Sequence, residues 1–168
     1  MTIEKFQLYK GISQNDIPKI PLYMDQVTGW FDQVLADWAT GTEDKTLTKT
    51  MINNYVKTKL VSPSDKKKYN SNQLMQLLMI YHLKSILTIE ELKKLFQVQA
   101  SGKTSMDLSH FYAQFHEMEL FLLDELESDG VFTRLETATA DEKRLYALQL
   151  TLEANIKKKL AEVLINSL

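Results

Sequence analysis

Apolar residues recur along this chain at helical spacing in six places, separated by short polar breaks. The first stretch follows Pro21. There Val27, Trp30, Phe31, Val34, Leu35 and Trp38 fall at i, i+3, i+4, i+7, i+8 and i+11, the apolar stripe of one helix face. It ends in the breaker run ATGTEDKT, where Gly41 follows the last periodic residue. Residues 1–21 carry Pro18 and Pro21 and no clear period, and read as an arm. The second stretch has Thr48 as its N-cap and runs to about Thr58. At about 100° per residue, Met51, Ile52, Tyr55 and Val56 fall on one side, and Lys49, Thr50, Asn53, Asn54 and Lys57 on the other. Leu60-Val61-Ser62-Pro63 closes it, because the residue before a proline resists helix.

A short excursion, KLVSPSDKKKYNS, leads to a third helix over about Ser71–Ser85, with Leu74, Leu77, Leu78, Tyr81 and Ile86 as its inward positions. A fourth begins at Thr88, whose Glu91 three residues on makes a capping box. Its expected buried face is Ile89, Leu92, Leu95 and Phe96. Ser101-Gly102-Lys103 is the best candidate for a domain boundary. Beyond it lie two longer stripes, Leu108, Phe111, Tyr112, Phe115, Met118, Leu122, Leu126 and then Leu145, Leu148, Leu152, Ile156, Leu160, Val163. The expected architecture is all-α, with an arm at 1–21, a first helical unit at 22–102 and a helical region at 103–168. No internal repeat or low-complexity segment interrupts it.

Composition narrows the function. With 168 residues, 44% of them hydrophobic and 25% charged, the chain is an ordinary globular protein, and its five Gly and three Pro leave little of it for turns. No cysteine is present, which excludes disulfides, thiolate metal sites and thiol catalysis. The opening MTIEKFQLYKG lacks the apolar core of a secretory signal, and no apolar run is long enough to span a membrane. A cytoplasmic location is the expectation.

The net charge of −2 conceals a partition. Residues 45–103 hold eleven lysines against three acids (Asp65, Glu90 and Glu91), a net +8, which leaves −10 for the rest. Seven of these lysines lie between positions 45 and 68. Such a basic block between acidic flanks suits a polyanionic partner. The polar face of the second helix suits the same partner. Asn bonds bidentately to the N6/N7 edge of adenine in the major groove, while Lys and Thr reach bases or phosphates. Asn53 and Asn54 are modest helix formers, so their mid-helix position calls for a reason beyond propensity. Lys66, Lys67, Lys68 and Tyr69 sit where a small wing would meet a phosphate backbone.

From Met51 to Gln97 the order of motifs resembles the N-terminal winged helix-turn-helix of the MerR family of transcription regulators. MINNYVKTKLV follows the family's T-L-R-Y-Y-x-x-x-G-L-L, KKKYNSNQL its basic wing, and TIEELKKLF its last helix. The chain departs from that pattern at Asn53 for the family's arginine, Asn54 for its first tyrosine and Lys59 for its glycine. Its wing is all lysine, and the turn between the first two helices is longer. Over most of its length, through LYMDQV, LTKTMINNYVK, KKKY and IEELK, the chain is closer to a group of Gram-positive bacterial proteins catalogued as a domain of unknown function (family 1836) and treated as candidate MerR-like regulators. The resemblance implies a winged helix-turn-helix with a small basic wing, double-stranded DNA as partner, and a homodimer formed by the helical region after the wing. Lys49, Thr50, Asn53, Asn54 and Lys57 are then the base-reading candidates, and Tyr55, Lys66, Lys67, Lys68 and Tyr69 the backbone candidates. Among these, Tyr55 has apolar neighbours that would turn its ring inward.

Other chemistries lack their residues. His110 and His116, six apart, stand about 240° apart around a helix and cannot share a metal from one face. His116-Glu117 lacks the second histidine of a zinc-protease motif, His82 stands alone, and no glycine-rich phosphate loop or nucleophile elbow occurs. Asp124, Glu125, Glu127 and Asp129 read as a solvated helix end. The expectation is therefore no enzyme, no metal and no cofactor. Phe111, Tyr112, Phe115 and Met118, with Leu120 and Phe121 off their stripe, form a candidate surface for a second subunit or a small organic effector. The competing reading is a helical protein–protein interaction module that does not bind DNA.

Overall fold

The computed structural model describes residues 3–36, 38, 46–99 and 101–168. In chain order they form α1 (Ile3–Leu8), β1 (Leu22–Tyr23), α2 (Met24–Val34), α3 (Lys49–Lys57), β2 (Lys68–Tyr69), α4 (Ser71–Leu83), α5 (Ile89–Leu95), α6 (Leu108–Ser128), α7 (Val131–Thr137) and α8 (Ala140–Asn166). The protein is thus mostly helical, and its two short strands pair antiparallel with Leu22 opposite Tyr69 and Tyr23 opposite Lys68.

Capping residues set the starts of the helices. Thr48 Oγ1 accepts from Met51 N at 3.2 Å, satisfying one of the free amides of the first turn. Asn70 caps α4, and Thr88 and Glu91 form the expected capping box on α5. The end of α2 comes earlier than the apolar period implies, at Val34 with Leu35 as its C-cap. Trp38 nevertheless keeps its apolar role, because its ring stacks with those of Phe6 and Tyr9. The breaker run from Ala39 to Lys45, with Gly41, lies outside the described residues.

At the centre is α4, buried from Gln73 to Ile80 on all sides. Phe31, Leu35, Ile52, Leu60, Leu92 and Phe96 surround it and are fully buried. Ile86, expected inward, is exposed, because α4 stops at Leu83 and the chain turns before it. Two polar residues are accepted into this core because each has a backbone acceptor. Gln76 Nε2 donates to the Leu60 carbonyl at 2.9 Å and Gln73 Nε2 to the Ser62 carbonyl at 2.9 Å. These bonds fix the loop that leaves α3 against α4. Lys59, standing where the resembled family has glycine, has φ +61. A Cβ makes this left-handed conformation costly.

The arm and the C-terminal helices share this core. Tyr9, Ile12 and Ile17 are buried. Tyr112 Oη donates to the Ile12 carbonyl at 2.7 Å and Ser71 Oγ to the Pro18 carbonyl at 2.7 Å. α6 lies along α4, and the C-terminal turns of α8 return to α5 through buried Ile165 and a Lys94–Asn166 hydrogen bond of 2.9 Å. No helix among the described residues is long and apolar enough to cross a membrane.

Candidate nucleic-acid interface and an apolar cleft

The polar face of α3 is fully turned outward. Lys49, Thr50, Asn53, Asn54 and Lys57 are exposed, while Ile52 and Tyr55 are buried and Met51 and Val56 half-buried. The helix is held from behind by α2 and, at its entry, by Leu47 in the core and a hydrogen bond from Thr46 Oγ1 to Asp32.

The segment expected to form a wing is a tight turn. Asp65 and Lys68 exchange both backbone hydrogen bonds, 3.0 and 2.8 Å, and the two residues between them, Lys66 and Lys67, have φ +46 and +64. Positive φ at both central positions is the signature of a type I′ turn, which favours Asn-Gly. Lysine at both places leaves strain in the turn and two exposed ammonium groups at its tip. Lys68 behind them is half-buried, its Nζ 4.7 Å from the centre of the Tyr23 ring.

The first turn of α2 ties the wing to α3. Tyr23, its N-cap, lies under Lys68, and Asp25 forms an ion pair with Lys49 at the start of α3. Both carboxylate and ammonium are exposed, so the pair contributes little to stability and exchanges readily for other partners. Tyr55 and Tyr69, expected on the DNA backbone, are not brought to this surface. Their rings belong to the core, where burial raises both phenol pKa values.

The residues expected at an effector or subunit surface separate into two groups. Tyr112 is buried, Leu120 is half-buried, and Phe121 is exposed on the far side of α6. Phe111, Phe115 and Met118 instead join Phe6, Trp38 and Met79 around an apolar cleft of about 520 Å³ between α6, α4 and the arm. Two polar groups on its wall, His82 and Glu119, carry no expectation from the sequence. Tyr9 Oη donates to Glu119 Oε1 at 3.1 Å. His82 Nε2 stands 3.9 Å from Oε1 and His116 Nδ1 3.7 Å from Oε2. Burial raises the Glu119 pKa against the opposing pull of Tyr9 and His116, and it lowers His82 to about 4. The signal for Glu119 was present in the sequence. It falls on the apolar stripe of α6, between Phe115 and Leu122, at a place where a core would take a hydrocarbon.

Among the described residues, no group of three or more His, Asp or Glu is arranged to hold a metal ion. Asp124, Glu125, Glu127 and Asp129 are exposed.

No curated protein and no solved structure matches this chain. Residues 12–115, from the arm through the second turn of α6, match the family model described as a domain of unknown function, DUF1836, and the chain belongs to that family.

Proposed function

We propose that this protein is a MerR-like transcription regulator that binds double-stranded DNA as a homodimer. In this reading α3 enters the major groove and the wing lies on the neighbouring phosphate backbone. Lys49, Thr50, Asn53, Asn54 and Lys57 face the base edges, and Lys66 and Lys67 face phosphates, with Lys68 behind them. The observation that carries the reading is the link through the first turn of α2. Through Asp25 and Tyr23 it touches both the entry of α3 and the base of the wing, so the two basic elements meet at one helix end.

Homodimerisation is supported by α8. Leu145, Leu148, Leu152, Ile156, Leu160 and Val163 lie on one stripe and are between 54% and 68% exposed, which is far more contiguous apolar surface than a helix facing water carries. That stripe is also the one observation favouring the competing reading, a protein–protein interaction module without DNA.

The test is the salt dependence of binding to a random duplex. Replacing Lys66, Lys67 and Lys68 by Ala should weaken binding on every sequence and flatten the log–log salt slope by up to about 0.9 for each lost phosphate contact. An Asn53→Ala variant should instead change the preference among sites. No retention of the wild-type chain on duplex DNA at low salt would select the interaction-module reading.

A further inference from the structure

DNA binding as proposed leaves the polar residues beside the apolar cleft without a task. Glu119 is the only charged side chain on the wall of the cleft among the described residues; the rest is rings and alkyl chains, with His82. A cleft of about 520 Å³ has the size and apolar character of a small-molecule site.

A largely buried carboxylate is costly unless it is paired, and among the described residues this one has no fixed positive charge beside it. Its neighbours are a phenol and two imidazoles. Among the described residues, Tyr9 is the neighbour within hydrogen-bond distance, and His116 Nδ1 stands 3.7 Å from Oε2, too far for a hydrogen bond. The arm closes one side of the carboxylate with bare backbone. Gly11 lies in the left-handed region at φ +67, and a Cβ there would stand 2.5 Å from Glu119 Oε2 and 2.8 Å from His116 Nδ1. No side chain is thus inserted between arm and carboxylate.

We propose that the cleft binds a small organic molecule with an aromatic or branched-alkyl body and a single basic amine, the amine seated against Glu119 and the body among Trp38, Phe111, Phe115 and Met118. An ammonium supplies the fixed positive charge that the described residues do not provide and makes a charge-assisted hydrogen bond. The surrounding rings add cation–π attraction. A matching alcohol gains a neutral hydrogen bond only, and a matching carboxylic acid places a second negative charge beside the first. Burial raises the Glu119 pKa, and an ammonium beside it would offset that desolvation of the carboxylate. The inference names the chemistry of an effector but does not rest on DNA binding, because its readout is ligand affinity.

Calorimetric titration of the full chain with 3-(2-naphthyl)propylamine, the corresponding alcohol and the corresponding carboxylic acid tests it at neutral pH. The amine should bind at one site per chain at least about tenfold more tightly than the alcohol, with the acid weakest. Glu119→Gln, which keeps the shape, should bring the amine down to the alcohol's affinity and leave the alcohol unchanged. Equal affinities for amine and alcohol, an acid that binds most tightly, an amine preference that survives Glu119→Gln, or no heat from any of the three would overturn the proposal. The wild-type ranking decides the question even if Glu119→Gln does not fold. Loss of DNA binding with the amine preference intact would refute the proposed regulator and leave this site standing.

Discussion

The turn at the wing tip allows stability and DNA affinity to be moved in opposite directions by one double substitution. Lys66 and Lys67 occupy φ +46 and +64, and the left-handed region costs an L-residue with a Cβ about 1–2 kcal/mol. Asn-Gly occupies the same turn with almost no strain. Lys66→Asn with Lys67→Gly should therefore stabilise the protein by about 1–2 kcal/mol, less than the full relief of two strained residues because glycine loses more chain entropy on folding. In a chain of this size each kcal/mol raises Tm by about 2–4 °C. The same change removes two exposed positive charges, which should flatten the salt slope of DNA binding by up to about 1.8 if both contact phosphates. Lys66→Ala with Lys67→Ala provides the control, losing the charges and keeping the strain, so its DNA affinity should fall equally with no gain in Tm. Thermal melts by circular dichroism and duplex anisotropy across a salt series measure the two effects. An unchanged or lower Tm for the Asn-Gly variant would refute the strain argument, and an unchanged salt slope would remove the wing from the interface.

Three further expectations test other parts of the structure. Gln76→Met keeps the volume of a core residue but leaves the Leu60 carbonyl without its donor, so urea titration should show a loss of about 1–3 kcal/mol. His82 is held neutral by burial, with a folded pKa of about 4 against 6.5 for the free side chain. Its contribution is present above pH 6.5 and is lost as pH falls towards 4, on the order of 3 kcal/mol in all. His82→Leu should flatten that acid limb relative to wild type. The raised carboxyl of Glu119 acts with the opposite sign, losing stability as pH rises. Leu148→Glu with Leu152→Glu, on the exposed stripe of α8, should convert a dimer to monomer in sedimentation without lowering the monomer's Tm. A dimer that survives this change would place the subunit contact elsewhere.

The helices from Thr48 onward, apart from the short α7 and the last turn expected of α4, were legible because their limits are set by local chemistry. Thr48, Thr88 and Glu91 act within one turn of themselves, and the period of 3.6 separates Ile52 from Asn53 whatever surrounds them. The end of α2 was not legible. Trp38 continues the apolar period and is indeed packed, but against rings of the arm instead of on a continuing helix. The positions of Tyr55 and Tyr69 were ambiguous for a related reason. A tyrosine suits both a core and a phosphate contact, and only the packing around α4 assigns these two to the core.

By itself, then, the sequence determined the helical class, the outward polar face of α3, the run of lysines at 66–68 and the long apolar stripe of the last helix, since each depends on neighbours within a few turns. The tertiary structure alone decided that the arm belongs to the core, that Asp25 and Tyr23 join wing to α3, and that Glu119 meets Tyr9, His82 and His116 beside an apolar cleft. Those meetings cross as many as 110 positions of chain, and no local periodicity encodes which distant side chains the packing of α6 against α4 and the arm will bring together.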